Sequence, residues 1–103
     1  MTLDHFRISL SSKAAPAHLS PALEALWWAG KGEWERAHAI VMRSEGDADA
    51  AWVHAYLHRV EGDIGNAHYW YRQARRPAAE GPLPAEWDRL VGTLLLDSRQ
   101  PHR

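Results

Sequence analysis

Three side chains in the middle of the chain have types and spacing that could do chemistry. His54 and His58 lie four residues apart, and Glu61 follows three residues later. On a helix that spacing puts all three in a narrow arc. Two imidazoles one turn apart can ligate one metal ion, with a nearby carboxylate as third ligand or base. The pattern departs from the zincin signature, in which Glu directly follows the first His; here Ala55 stands in that place. No other histidine is tied to the pair by sequence. His38 and His68 read as structural or rim residues. On the sequence, therefore, no metal ligand is assigned and no cofactor is expected. His54, His58 and Glu61 remain a possible functional face.

Other chemistries are poorly supported. There is no phosphate-binding loop, no Gly-x-Ser-x-Gly elbow and no Ser–His–Asp set in a recognisable context. With no cysteine, disulfides, a thiol nucleophile and thiolate metal sites are excluded. Twelve Lys and Arg stand against thirteen Asp and Glu with no basic run, so nucleic acid is not an expected partner. Met1 is followed by polar residues and no apolar run would span a bilayer, so the expectation is a cytoplasmic protein with no membrane partner.

The elements that must position these residues are helical. Ser20 and Pro21 are a cap and first-turn pair opening a helix with stripe Leu23, Leu26 and Trp27, closed by Gly30 and Gly32. A second helix runs from about Glu33 to Arg43. A third begins at an Asp47 or Asp49 cap and runs to about Glu61. Asp63 caps a fourth, which runs to about Arg75 and is stopped by Pro77. A proline-rich loop over 77–84 leads to a fifth helix starting at Pro84, with stripe Trp87, Leu90, Val91, Leu94 and Leu95. Residues 1–19 form an N-terminal arm, in which His5 to Leu10 alternates polar and apolar like a short strand or extended segment. Residues 20–96 form a single helical domain and 97–103 a disordered tail.

The chain also repeats itself. Gly32, Glu33, Ala37 and His38 recur thirty residues later as Gly62, Asp63, Ala67 and His68, and Ala25 falls on Ala55. If each unit is a helical hairpin, Ala25 faces Ala37 and Ala55 faces Ala67, and the small residues permit close backbone approach. Gly62, Asp63, Ile64, Ala67, Trp70, Tyr71 and Ala74 resemble the tetratricopeptide (TPR) pattern, and this second unit is also similar to the SEL-like subclass. Ala25, Trp28, Gly32, Glu33, Trp34 and Ala37 carry it in the first unit, which departs at Val41 and Ser44. The resemblance covers roughly residues 20–76. The stretch from Trp52 to Arg59 with Glu61-Gly62-Asp63 is also similar to a family of small bacterial and fungal proteins, which brings no function with it.

The TPR resemblance implies an all-α fold of two TPR-like hairpins plus a C-terminal capping helix, about five helices in all. It implies a concave face built from Leu19, Ala22, Leu23 and Leu26 of the first unit and Trp52, Val53, Tyr56, Arg59 and Val60 of the second. Such a face is too apolar to meet water, so the fifth helix, a second copy or another protein should cover it. Two units are fewer than usually stack stably, and the fifth helix is expected to cap them through Trp87 and Leu90. Surplus apolar surface would then serve a homodimer or a protein or peptide partner. The leading reading is a small non-enzymatic interaction module. The alternative is a metal-binding or histidine-dependent enzyme centred on His54, His58 and Glu61, where the TPR register would bury the two histidines and the helical moment would expose them.

Overall fold

The computed structural model describes residues 1–98. Six helices and no strand are found among them: α1 (Leu3–Ser9), α2 (Pro21–Gly30), α3 (Trp34–Met42), α4 (Ala48–Glu61), α5 (Ile64–Ala74) and α6 (Leu83–Ser98). The all-α class is as expected, with one helix more. The expected tail falls mostly on residues 99–103, outside the described residues, while Asp97 and Ser98 belong to α6.

The additional helix, α1, comes from the N-terminal arm, which is neither strand nor extended. Thr2 caps it by accepting from the His5 backbone N–H at 3.1 Å, and Asp4 and Arg7 sit at the ends that suit the helix dipole. The alternating pattern was misleading because only one apolar set is used. Phe6 is fully buried while Ile8 is 69% exposed. Leu3, Phe6 and Leu10 share the inward stripe at helical spacing.

The thirty-residue repeat is a repeated turn. Gly32 and Gly62 both adopt positive φ, at 79° and 87°, the left-handed region that costs a glycine little. After each, the next residue's N–H reaches back five residues: Glu33 to the Trp28 carbonyl and Asp63 to the His58 carbonyl, both at 2.9 Å. This Schellman-type closure ends α2 and α4 and launches α3 and α5. Ala25, Ala37, Ala55 and Ala67 are all fully buried, and α2 packs on α3 as α4 packs on α5. Ser20 caps α2, Asp47 caps α4 and Asp63 caps α5 through their side chains.

The last helix decides what the rest can do. α6 packs against α2 and α4, and α1 packs on α6 in turn. The Trp87 indole N–H donates to the Leu26 carbonyl at 2.9 Å, beside Gly30, where a Cβ would stand only 2.9 Å from the Trp87 ring. Leu90, Val91, Leu94 and Leu95 are buried in the same layer. Ala22, Leu23, Leu26, Trp52, Val53 and Tyr56 are consequently core residues, so most of the expected concave face is covered from within the chain, while Val60 stays 42% exposed. Arg59 is engaged as well. It donates to Glu86 Oε1 at 2.5 Å and to the Gly81 carbonyl at 2.8 Å, while the Tyr71 hydroxyl donates to Glu86 Oε2. That network ties α4 and α5 to the start of α6.

Candidate functional site

His54 and His58 are both buried, at 3% and 6% exposure, because α4 lies between α3 and α5 and neither of its long faces is free. The packed register, not the helical moment, describes them. Their rings stack with centroids 4.8 Å apart. Glu61, at the exposed end of α4, accepts from or pairs with His58 Nδ1 at 2.6 Å. All three members of the sequence arc are therefore brought together.

The structure adds a fourth member. His38 projects from α3, and its Nε2 lies 3.2 Å from His54 Nε2. Its ring is 5.4 Å from that of His58. His38, His54 and His58 each offer a nitrogen within 4.8 Å of the others. From the sequence His38 is a structural or rim residue, because the repeat makes it equivalent to His68. Position in the array breaks the equivalence: α3 has α4 beside it, whereas His68 on α5 is exposed. The signal that could have found His38 was adjacency, since the second helix of one hairpin lies against the first helix of the next.

Two tryptophans hold the rings. Trp34 stacks on His38 at 4.6 Å and is itself pinned, its indole N–H donating to the Leu57 carbonyl at 2.7 Å. Trp70 stacks on His54 at 4.0 Å. Rings clamped between planar neighbours lose little further freedom on binding, which favours a ligand that needs fixed nitrogens. A cavity of about 170 Å³ lined by Met42, Ser44, Asp47 and Trp70 reaches the His54 side of the cluster.

The electrostatics favour neutral imidazoles at His38 and His54. Burial pushes the His54 pKa down to about 4, helped by the nearness of His58 and His38. His38 is lowered too, first by burial and then by His58, with Glu61 and Glu35 opposing. Neutral imidazole has a free lone pair, the form in which histidine ligates a metal. With no metal, His38 and His54 at 3.2 Å must share one proton between two nitrogens. With His58 Nδ1 taken by Glu61, Nε2 is the nitrogen left to face the cluster.

A separate acidic set, His58, Glu61 and Asp63, also brings ligand atoms together but has two exposed members. No buried side-chain N or O among the described residues lacks a hydrogen-bond partner. No helix of the described residues is long and apolar enough to cross a membrane. Comparison with known proteins returned no matching family model, no matching curated protein and no matching solved structure.

Proposed function

We propose that this protein is a metal-binding module that holds one divalent transition-metal ion, zinc by preference, between His38, His54 and His58. The observation that carries the proposal is the convergence of three imidazoles from two helices, two of their nitrogens already 3.2 Å apart. Ligands on tetrahedral zinc, at about 2.0–2.1 Å from the metal, stand roughly 3.3 Å from one another. The His38–His54 pair has that separation, and a His58 nitrogen lies within 4.8 Å of both.

Glu61 supplies the outer support that metal-bound histidines need. A carboxylate on the distant ring nitrogen fixes the tautomer and raises the basicity of the ligating one. All-imidazole donors suit zinc, copper, nickel and cobalt and disfavour calcium and magnesium, which take oxygen. Three protein ligands leave a coordination position for water or a small molecule. That ligand number is typical of reactive zinc sites, whereas purely structural sites use four.

The earlier interaction reading relied on an open face built from Leu23, Leu26, Trp52, Val53, Tyr56 and Arg59. The burial of five of these and the engagement of Arg59 by Glu86 withdraw its main support.

The test is calorimetric titration of untagged, chelator-stripped protein with Zn²⁺, together with the visible spectrum after adding Co²⁺. One equivalent bound, with the intense d–d absorption of four-coordinate cobalt, is expected. His38→Ala should remove both signals. Binding that is substoichiometric, or retained in full by His38→Ala, would overturn the reading.

A further inference from the structure

A second site lies at the other side of α4, away from the histidines. A cavity of about 420 Å³ opens between α1, α2 and α6, lined by Arg7, Leu10, Tyr56, Leu83, Trp87 and Asp88 among others. It is an open groove, with a volume in the range of small-molecule sites. Of the residues expected on the concave face, Tyr56 alone lines it.

The Tyr56 hydroxyl distinguishes this cavity from a gap in packing. Tyr56 is 7% exposed, and its hydroxyl makes no hydrogen bond to any described residue. It is not among sealed, unsatisfied polar atoms, so the hydroxyl reaches the space in the cavity. A hydroxyl that opens on such a space takes water or a ligand as its partner. Tyr71, on the neighbouring helix, satisfies its own against Glu86.

We propose that this cavity binds a small, uncharged aromatic molecule bearing a carbonyl, with the ring among Leu10, Leu83 and Trp87 and the carbonyl accepting from Tyr56. Each part of that description has a source on the cavity wall. The indole of Trp87 and the ring of Tyr56 favour a planar partner by offset or edge contact. The charges at the mouth cancel: Arg7 Nη2 lies 2.6 Å from Asp88 Oδ2. An ionic ligand would have to break that pair, whereas a neutral one would not. Burial, with Glu86 nearby, raises the Tyr56 pKa to about 12, so the phenol keeps its proton and acts as a donor.

The experiment uses the full chain, isotopically labelled, with acetophenone as probe and ethylbenzene as its near-isosteric control lacking the carbonyl. Acetophenone should cause saturable NMR shifts at the Ala29 and Gly30 amides and the Trp87 indole N–H, and it should bind more tightly than ethylbenzene. Tyr56→Phe should weaken acetophenone about fivefold, the size of one net hydrogen bond, and leave ethylbenzene within about twofold. Ala29→Leu, which narrows the mouth, should weaken both. The proposal fails if no saturable shift appears at millimolar acetophenone, or if the wild-type protein binds the two probes equally. It also fails if folded Tyr56→Phe retains the wild-type preference. The zinc reading is untouched by any of these outcomes, since the probe neither ligates metal nor approaches the histidines.

Discussion

Helix α4 contributes to two polar clusters on different faces, and they are built on opposite principles. Toward α6, the charge of Arg59 meets Glu86, and Tyr71 completes the carboxylate's second oxygen. Toward α3, three imidazoles meet one another, and Glu61 approaches only one of them, from the exposed end. The first cluster is complete as it stands. The second brings three ring nitrogens within 4.8 Å of one another, joined only by the His38–His54 hydrogen bond and the His58–Glu61 contact. A satisfied buried network of opposite charges orders helices, whereas a convergent set of one ligand type is what the zinc proposal rests on. Both clusters have buried members, so burial does not separate them; what separates them is whether charge and hydrogen bonding close within the chain.

That contrast predicts that the two clusters fail differently. The largest effect is expected at the closed one. Glu86→Ala strands Arg59 and Tyr71 together and should destabilise the fold by about 3–5 kcal/mol, read from denaturant unfolding, without altering the zinc stoichiometry of whatever remains folded. Zinc should act in the other direction. At about a hundredfold excess over its Kd it should stabilise the wild type by roughly 2.7 kcal/mol. His38→Ala should lose that gain while changing the stability of the chelated protein by less than about 1 kcal/mol, since the side chain is half-buried. An equal loss in chelated and zinc-loaded protein would erase the distinction between the clusters.

Smaller again is Glu61→Gln, which keeps the shape and removes the carboxylate charge from His58. Zinc affinity should fall about 10–100-fold, with apo stability nearly unchanged. The mildest probe is pH, which needs no substitution. In chelator, His54 titrates near 6.5 unfolded and about 4 folded. The unfolded chain therefore binds the extra proton first. Its contribution is fully present above about pH 6.5 and is lost progressively as pH falls toward about 4. On the alkaline side Tyr56 moves from 10 up to about 12, and Tyr71 is raised further by burial and its bond to Glu86. Stability should hold below pH 10 and fall as pH rises through 12. Unfolding midpoints across pH should show both limbs. His54→Gln should flatten the acid limb and Tyr71→Phe reduce the alkaline one.

How much of this was legible beforehand follows from the range of each interaction. Ser20, Asp47 and Asp63 cap bonds within three residues, so type and position suffice to read them. Gly32 and Gly62 require left-handed backbone at a turn, again a local demand. The His54–His58–Glu61 arc is set by helical pitch and was visible for the same reason. The N-terminal segment misled because six alternating residues fit two periods, and only the contact of Phe6 with Trp87, 81 positions along, selects the helical one.

What remained was decided between elements. Composition, caps and the thirty-residue period were enough for an all-helical chain with two matching hairpins, because helix formation and Schellman turns depend on neighbours a few residues away. Whether α6 would extend the stack or fill its concave face depended on the direction the chain takes after the proline-rich loop and on the fit of Trp87 beside Gly30. Whether His38 or His68 would join the pair depended on which helix found a neighbour on its histidine side. Periodicity treats the two positions as identical. Packing made one a candidate ligand and left the other in water, because interhelical contact is a property of the assembled array that spacing along one helix does not contain.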